Sequence, residues 1–337
     1  MSVAAAQSGR NTSGSSADPL FAPLLAGDRR ALAQAITLIE STRADHRERA
    51  DELLAAVLPR TGKSVRLGIT GVPGVGKSTL IERFGLSLIA KGRSLAVLAI
   101  DPSSKRGGGS ILGDKTRMEE LSRRNAAFIR PSPAGTTLGG VARRTREAML
   151  LLEAAGFDTV IVETVGVGQS ETAVADMVDM FIVLLLPAGG DDLQGIKRGV
   201  IELADLVVVN KADGELLAAA RRSAADYQHA LRMLRSPTAG WTPEVTTCSA
   251  LSGAGVAEIW DTVGRFRAAV GERGIARRRA EQARTWMWNE VGETLLLELR
   301  KHPEVRKLVA GLEREVEAGR ATPAAAARRM LESFHGR

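Results

Sequence analysis

The chain has 337 residues, 44% of them hydrophobic and 25% charged, a composition that supports a folded core and excludes a wholly disordered chain. Its single cysteine, Cys248, excludes a disulfide framework and a cysteine-rich metal site, and favours a reducing compartment, the cytoplasm. The net charge of +7 is spread thinly apart from Arg273 and residues 277–279, which is more typical of a solvated helix face than of a nucleic-acid site. Because no apolar run approaches the roughly 20 residues of a membrane span, we predict a soluble protein without a membrane partner. From the thin spread of charge, we also predict that it has no nucleic-acid partner.

The chain divides into four predicted parts. Residues 1–18, rich in Ser, Ala and Gly, are predicted to be a disordered tail, with an organelle transit peptide as the less favoured alternative. Residues 19–62 carry apolar side chains at helical spacing and predict an N-terminal helical segment. Residues 63–271 form the predicted nucleotide-binding domain, and residues 272–337 a charged helical extension. An apolar stripe in this extension packs either on its own domain or on a second subunit, and consists of Trp286, Trp288, Val291, Leu295 and Leu299.

Within 63–271, short apolar runs alternate with helical stretches. Such alternation predicts an α/β fold with a mostly parallel sheet, helices on both faces and ligands at the carboxyl ends of the strands. The predicted strands are 65–70, 95–100, 126–130, 159–163, 180–186, 206–210 and 245–248.

A phosphate-binding loop follows the first strand and precedes a helical pattern. Residues 71–78 read GVPGVGKS, and three glycines in this run let backbone N–H groups turn toward a phosphate. Lys77 is placed to reach the β and γ phosphates, and Ser78 to offer its hydroxyl to Mg²⁺ at a helix N-terminus. The fold class is therefore a P-loop NTPase with helical extensions. The predicted phosphate-contacting residues are Gly71, Val72, Pro73, Gly74, Val75, Gly76, Lys77, Ser78 and Thr79.

Acidic residues near strand ends are candidates for completing a Mg²⁺ site with Ser78. Asp101 follows the second strand, Glu163 ends another, and Asp114 lies in the glycine-rich run GGSILGDKTRM. Mg²⁺ takes oxygen ligands, and parallel strands deliver these acids to one edge of the sheet. Helix capping is the alternative for an isolated acid at a strand end. We favour the metal role, and predict Lys77, Glu163 and Asp101 as the catalytic set.

The tetrapeptide NKAD at 210–213 ends a strand and predicts a guanine pocket. The Asp213 carboxylate accepts two hydrogen bonds from N1–H and the amino group of guanine, which adenine does not offer. Asn210 is expected to tie this loop to the phosphate loop, and the stem of Lys211 to lie along the base. A further loop is expected to reach the guanine carbonyl through a backbone N–H, and consists of Ser249, Ala250 and Leu251.

Longer motifs resemble the MeaB/ArgK family, the GTPases associated with methylmalonyl-CoA mutase and related adenosylcobalamin-dependent acyl-CoA mutases. The resemblance covers roughly residues 20–335. It implies a G-protein chaperone that couples GTP hydrolysis to cofactor loading and to protection or reactivation of the mutase. It also implies a homodimer held by the C-terminal extension, an adenosyltransferase as a further candidate partner, and no tightly bound cobalamin of its own. The motifs are ETVGVGQSE (163–171), DPSS (101–104), GGSILGDKTRM (108–118), RPSP (130–133) and LQGIKRG (193–199).

The resemblance also implies roles for individual residues. Gly166 is expected to follow the γ phosphate through its backbone N–H, and bound nucleotide is expected to be GTP or GDP with Mg²⁺. No residue is identified as a catalytic base, although Gln169 is a candidate for orienting water. The segment after strand 180–186 is either a nucleotide-dependent switch, which we favour, or a plain mobile connection; its candidate switch residues are Asp191, Asp192, Gln194 and Lys197.

Three other functions remain as alternatives. A nickel-insertion GTPase needs metal-binding His or Cys, whereas this chain has one Cys and four His at 46, 229, 302 and 335. A P-loop kinase needs an acceptor pocket and a nucleophile-orienting acid. A pure interaction scaffold does not need the intact Lys77 and Ser78. We predict slow intrinsic GTP hydrolysis that a mutase partner stimulates.

Overall fold

A seven-stranded parallel sheet forms the centre of the first of two compact units. The computed structural model describes residues 18–100, 118–132, 138–164, 170–187 and 198–336. The strand order is β3-β2-β4-β1-β5-β6-β7, with every pairing parallel. The strands are β1 Val65–Gly71, β2 Leu95–Ile100, β3 Ala127–Ser132, β4 Thr159–Thr164, β5 Met180–Leu185, β6 Leu206–Val209 and β7 Glu244–Thr247.

The parallel α/β fold is confirmed, and each strand lies within two residues of its predicted bounds. β1, β2, β4, β5 and β6 are buried along their whole length, which is why they read as continuous apolar runs. The edge strand β7 is half-buried, and it ends one residue earlier than predicted, so that Cys248 follows the strand instead of belonging to it.

Helices flank the sheet and extend beyond it at both ends of the chain. Two short 3₁₀ turns, Leu58–Arg60 and Gly214–Leu216, interrupt the connections. The helices are α1 Phe21–Leu25, α2 Arg29–Glu40, α3 Ala44–Val57, α4 Lys77–Ala90, α5 Glu119–Ser122, α6 Leu138–Ala154, α7 Ser170–Ala175, α8 Arg198–Ile201, α9 Leu217–Arg232, α10 Val256–Lys301, α11 Pro303–Glu317 and α12 Pro323–Phe334.

The three N-terminal helices belong to the same compact unit as the sheet. All three pack against α6 through apolar faces that include Leu32, Ile36 and Leu53. The Arg29 guanidinium donates to the carbonyl of Ala127 at 2.6 Å, which occupies an acceptor on the edge strand β3. Covering an edge strand in this way blocks unwanted strand pairing.

A buried ion pair joins β1 to the end of α6 at the amino-terminal edge of the sheet. Arg66 Nε lies 2.6 Å from Glu153 Oε1, and the two side chains are 6% and 0% exposed. A second bond runs from Arg66 Nη2 to Glu153 Oε2 at 3.0 Å, and the Gly62 N–H donates to the same oxygen at 2.6 Å. This pairing compensates two charges that would otherwise be costly to bury.

The second unit, Arg273–Arg337, is helical and begins just after a break in α10. Gly271 has φ 70° and ψ 162°, which no α-helical residue adopts. Of the predicted apolar stripe, Trp288, Val291 and Leu295 are exposed on this unit. Throughout the described residues, no helix combines the length and the apolar composition that crossing a bilayer requires.

The Arg66–Glu153 pair gives a stability prediction. Glu153→Ala strands a buried guanidinium, so the free energy of unfolding should fall by about 3–5 kcal/mol. The double variant Arg66→Met/Glu153→Leu, which removes both charges, should recover most of that loss. Urea denaturation followed by circular dichroism measures both.

The matched control is Arg43→Ala, which removes an ion pair with Asp45 whose side chains are 68% and 60% exposed. It should leave the free energy of unfolding close to that of the parent protein, because solvent screens an exposed pair. A Glu153→Ala protein as stable as this control would show that the buried pair does not matter for stability.

Candidate functional site

The predicted phosphate loop connects β1 to α4 at the carboxyl edge of the sheet. Gly76, the residue before α4, has φ 93°, a conformation that favours glycine. A Cβ at Gly76 would lie 2.7 Å from Asn210 Nδ2, and one at Gly71 would lie 2.6 Å from the Leu184 carbonyl oxygen. Glycine is therefore needed at both positions for close approach, and the loop leads directly into the positive end of a helix dipole.

The remaining loop residues divide between the tip and the base of the turn. Val75 is fully buried and its N–H donates to the Val72 carbonyl at 3.2 Å, which tightens the turn. Pro73 and Gly74 are exposed at the tip, and Thr79 is exposed on the first turn of α4. The loop therefore presents its tip to solvent while its base is fixed in the core.

Lys77 is held at the mouth of the loop. Its Nζ donates to the carbonyl of Gly71 at 2.7 Å and of Val72 at 3.2 Å, and the side chain is 9% exposed. An ammonium held against the base of the loop adds positive charge at the N-terminus of α4, where the helix dipole also favours an anion.

Two predicted metal ligands meet beside Lys77. Ser78 Oγ donates to Glu163 Oε1 at 3.3 Å, and Glu163 is 6% exposed near the end of β4. A hydroxyl and a buried carboxylate are oxygen donors, the ligand class that Mg²⁺ takes, so these two residues fit the ion. Asp101 and Asp114, the other predicted ligands, lie outside the described residues.

Several other predicted positions also lie outside the described residues. They are residues 1–17 of the predicted tail 1–18, the candidate γ-phosphate residue Gly166, the candidate water-orienting Gln169, and the candidate switch residues Asp191, Asp192, Gln194 and Lys197.

The Asn210 side chain connects the phosphate loop to the predicted guanine loop. Its Nδ2 donates to the Val75 carbonyl at 2.8 Å, so the predicted tie to the phosphate loop is present. Its Oδ1 accepts from the Ala250 N–H at 3.0 Å and lies 3.4 Å from the Cys248 thiol. Asn210 is 1% exposed, and protein groups satisfy both the amide nitrogen and the amide oxygen of its buried side chain.

Asp213 is held by a side chain whose role the sequence prediction missed. Ser249 Oγ donates to Asp213 Oδ2, and it also accepts from the Ser252 N–H at 3.0 Å. The sequence prediction gave this loop, including Ser249, only a backbone N–H contact to the base. The hydroxyl of Ser249 was the signal in the sequence that could have indicated a side-chain role. Ser249 thereby fixes the orientation of the carboxylate.

The backbone around the guanine loop is specialised. Lys211 has φ 59°, a left-handed conformation that is uncommon for a side chain of this size, and it is exposed. The Ala250 N–H, one of the predicted guanine donors, is already bound to Asn210. Leu251 is 74% exposed beside it. Strained backbone of this kind concentrates at ligand sites.

Among the residues that the structure describes, no group of three or more His, Cys, Asp or Glu side chains is arranged to hold a metal ion. His46 lies 2.9 Å from Ser41 Oγ, and the His302 ring packs edge-on against Phe334 in the second unit.

Comparisons with known proteins agree with this geometry. The family model described as methylmalonyl-CoA mutase-associated GTPase MeaB matches residues 32–304. A putative GTPase of Caulobacter vibrioides is 58% identical over 94% of this chain and 97% of its own. The mitochondrial methylmalonic aciduria type A homolog of Mus musculus is 51% identical over 95% of this chain and 80% of its own. The crystal structure titled LAO/AO transport system kinase gives a TM-score of 0.75 at 39% identity, covering 94% of this chain and 96% of that one.

The buried thiol beside Asn210 provides a test of the packing at this site. Burial raises the pKa of Cys248 to about 12, whereas an unfolded cysteine titrates near about 8.5. At a pH of about 8.5, half of the thiol in the unfolded chain is thiolate but almost none in the folded chain is. Iodoacetamide should therefore label Cys248 far more slowly in the folded protein than in guanidinium chloride, as measured by mass spectrometry.

The labelling rate of the folded protein should rise as the pH approaches the raised pKa. Equal labelling rates of folded and denatured protein at a pH of about 8.5 would contradict a buried thiol next to Asn210.

Proposed function

The chain belongs to the family of methylmalonyl-CoA mutase-associated GTPases, and we propose that it is a G-protein chaperone of an adenosylcobalamin-dependent acyl-CoA mutase. It is a GTPase with a P-loop NTPase fold that binds guanine nucleotide. In the proposal, GTP binding and hydrolysis gate cofactor loading and protect or reactivate the mutase. The observation that carries the nucleotide part is the Asn210 carboxamide, which holds the phosphate loop and the guanine loop as one structure.

We assign phosphate binding to the backbone N–H groups of residues 71–79 and to Lys77. The amides at the start of α4 and the Lys77 ammonium both present positive charge to a bound phosphate, and the Lys77 side chain is 9% exposed. Gly166 is assigned to the γ phosphate on the basis of the family motif. The proposed phosphate cradle therefore combines a point charge with oriented dipoles.

We assign guanine recognition to Asp213, supported by Ser249. A carboxylate held by a hydroxyl keeps one orientation, so it meets the N1–H and amino donors of guanine at little entropic cost. The Lys211 stem is assigned to one face of the base. Because the Ala250 N–H is bound to Asn210, the Leu251 N–H becomes the preferred donor to the guanine carbonyl.

For Mg²⁺ we propose Ser78 and Glu163 as ligands, together with Asp101 and Asp114. When bound, this ion neutralises charge on the phosphate oxygens. Glu163 holds the Ser78 hydroxyl at the phosphate loop, and Lys77 supplies a fixed positive charge at the same edge. We assign no general base. Slow intrinsic hydrolysis follows, because a partner has to supply or order the missing group.

The proposed switch comprises Asp191, Asp192, Gln194 and Lys197. A nucleotide signals only if two conformations contact it differently, so loss of the γ phosphate has to change the relative stability of those conformations. The proposed partner is a mutase in the cytoplasm, and an adenosyltransferase is a further candidate. We propose that this chain does not bind cobalamin tightly itself, and that cobalamin is the cofactor loaded onto the mutase.

We further propose a homodimer formed by the second unit. Trp288, Val291 and Leu295 expose an apolar face at helical spacing on α10, and burying such a face is the usual driving force for association. Sedimentation of the full chain and of a Trp288→Glu variant tests this assignment.

The mutase proposal predicts partner-stimulated hydrolysis. Purified protein should release phosphate from GTP slowly, and the cognate acyl-CoA mutase should raise the rate by one or more orders of magnitude. Methylmalonyl-, isobutyryl-, ethylmalonyl- and hydroxyisobutyryl-CoA mutases form the test panel. A Lys77→Ala control should show no stimulated hydrolysis, because it lacks the charge at the phosphate loop.

Two readouts keep this test decisive. Labelled γ phosphate should appear as inorganic phosphate and not on an acceptor, which separates hydrolysis from kinase activity. Capture of each mutase with a GTP analogue and with GDP shows whether complex formation follows nucleotide state. Rates that are the same with and without all four mutases would refute the chaperone proposal.

The guanine assignment predicts a change of base specificity. Asp213→Asn should weaken GTP binding by about 100-fold, roughly the loss of two charge-assisted bonds at about 1.5 kcal/mol each. It should strengthen binding of xanthosine triphosphate, since a carboxamide donates to the xanthine C2 carbonyl and accepts from N1–H. Competition against a fluorescent nucleotide measures both affinities.

The matched control is Asp226→Asn, at an exposed aspartate on α9, which should leave both affinities unchanged. If Asp213→Asn weakens both nucleotides equally, Asp213 does not read the base.

A further inference from the structure

Two buried threonines extend the pairing of β1 and β4 toward the phosphate loop. The backbone pairing of these strands runs from Val65 with Thr159 to Ile69 with Glu163. One residue further along, Thr70 Oγ1 and Thr164 Oγ1 lie 2.7 Å apart, and the two residues are 1% and 0% exposed. A side-chain hydrogen bond thus continues the contact beyond the last backbone pair. We name Thr70 and Thr164 the threonine clasp.

The clasp lies between the two parts of the proposed phosphate and metal site. Thr70 directly precedes Gly71, where the phosphate loop begins, and Thr164 directly follows Glu163. Because side chains alternate along a strand, the clasp is on the opposite face of the sheet from Glu163. The two threonine hydroxyls therefore join the strand ends on one face of the sheet, while Ser78 contacts Glu163 on the opposite face.

A hydrogen bond at this point limits how far the end of β4, which carries Glu163, can move from the phosphate loop, which leads to Ser78. Beyond Ile69, β1 stays paired with β5 as far as Gly71 and Leu184, so the phosphate loop is fixed on that side. On the other side, the backbone pairing of β1 with β4 ends at Ile69 and Glu163, and the clasp extends this contact by one residue, up to the start of the phosphate loop. Without the hydroxyl bond, the end of β4 loses a contact with β1 at the point where the phosphate loop begins, and small displacements of reacting groups are costly to catalysis.

We propose that Thr70 and Thr164 are positioning residues for GTP hydrolysis, which hold Glu163 at the distance from Ser78 that Mg²⁺ binding requires. This inference rests on the proposed metal role of Glu163. The clasp touches neither nucleotide nor metal in the proposal; it acts through the spacing of two strand ends. A hydroxyl pair suits this task because a hydrogen bond is directional and holds its two oxygen atoms at a defined separation.

The test is the double variant Thr70→Val/Thr164→Val. Valine keeps the branched shape and volume in a buried strand, and removing both hydroxyls leaves no polar group unsatisfied, so stability should change little. We expect the single-turnover rate of GTP hydrolysis to fall by about 10-fold and the Mg²⁺ concentration for half-maximal rate to rise. GDP affinity measured without Mg²⁺ and the melting temperature should stay close to those of the parent protein.

Two variants distinguish positioning from packing. Thr164→Ser keeps the hydroxyl and removes only a methyl group, so this variant should retain most of the hydrolysis rate of the parent protein. Thr145→Val removes a different buried hydroxyl, which donates to the Val141 carbonyl at 2.9 Å within α6, and should leave the rate and the Mg²⁺ dependence unchanged. If the double variant does not fold, the single Thr70→Val variant replaces it.

Glu163→Gln separates this inference from the proposal on which it rests. If Glu163→Gln leaves the Mg²⁺ dependence unchanged, the metal role of Glu163 is wrong and the positioning role falls with it. If Glu163→Gln raises the Mg²⁺ requirement but the valine variants do not, the clasp only packs the sheet and the inference alone is overturned.

Discussion

The buried carboxamide of Asn210 is the interaction on which the nucleotide site depends. One side chain donates to the base of the phosphate loop and accepts from the loop that carries Ala250, so neither loop can shift without breaking a buried hydrogen bond. It also sets a steric constraint. The space that a side chain at Gly76 would need is filled by the Asn210 amide, and glycine there is required by the neighbour as well as by the backbone.

The sheet order explains how one carboxamide can reach both loops. β1 and β6 are separated only by β5, and Asn210 follows β6 directly. Parallel strands bring all of these ends to one edge, with the phosphate loop after β1, Glu163 on β4 and the guanine loop after β6 and β7. The proposed nucleotide site therefore runs across the sheet, with the metal end toward β4 and the base end toward β7.

The sequence predicted the strands closely because buried parallel strands have no polar face. β1, β2 and β5 read as uninterrupted apolar runs, and the phosphate loop and NKAD lie at strand ends where their spacing has chemical meaning. Contacts between distant residues were not predictable in the same way. The Arg66–Glu153 pair, the Ser249–Asp213 bond and the threonine clasp join residues far apart in the chain, and each depends on strand register and helix placement that no local pattern encodes. The helical periodicity of the N-terminal segment likewise identified an apolar face without identifying α6 as its partner.

The two edges of the sheet hold buried charged side chains in different surroundings. At the amino-terminal edge, Arg66 and Glu153 satisfy each other and form a closed pair with no chemistry to perform. At the carboxyl edge, the Lys77 ammonium donates to two carbonyl oxygens of the phosphate loop, and the Glu163 carboxylate accepts from a serine hydroxyl, so both charges contact the residues of the proposed phosphate and metal site. In the proposed nucleotide site, a bound phosphate and its cation add further charges next to these two buried side chains. Loss of the γ phosphate then removes negative charge from a region of low dielectric, which is how the proposed site would distinguish GTP from GDP. The proposed role as a mutase chaperone needs this coupling more than it needs fast chemistry.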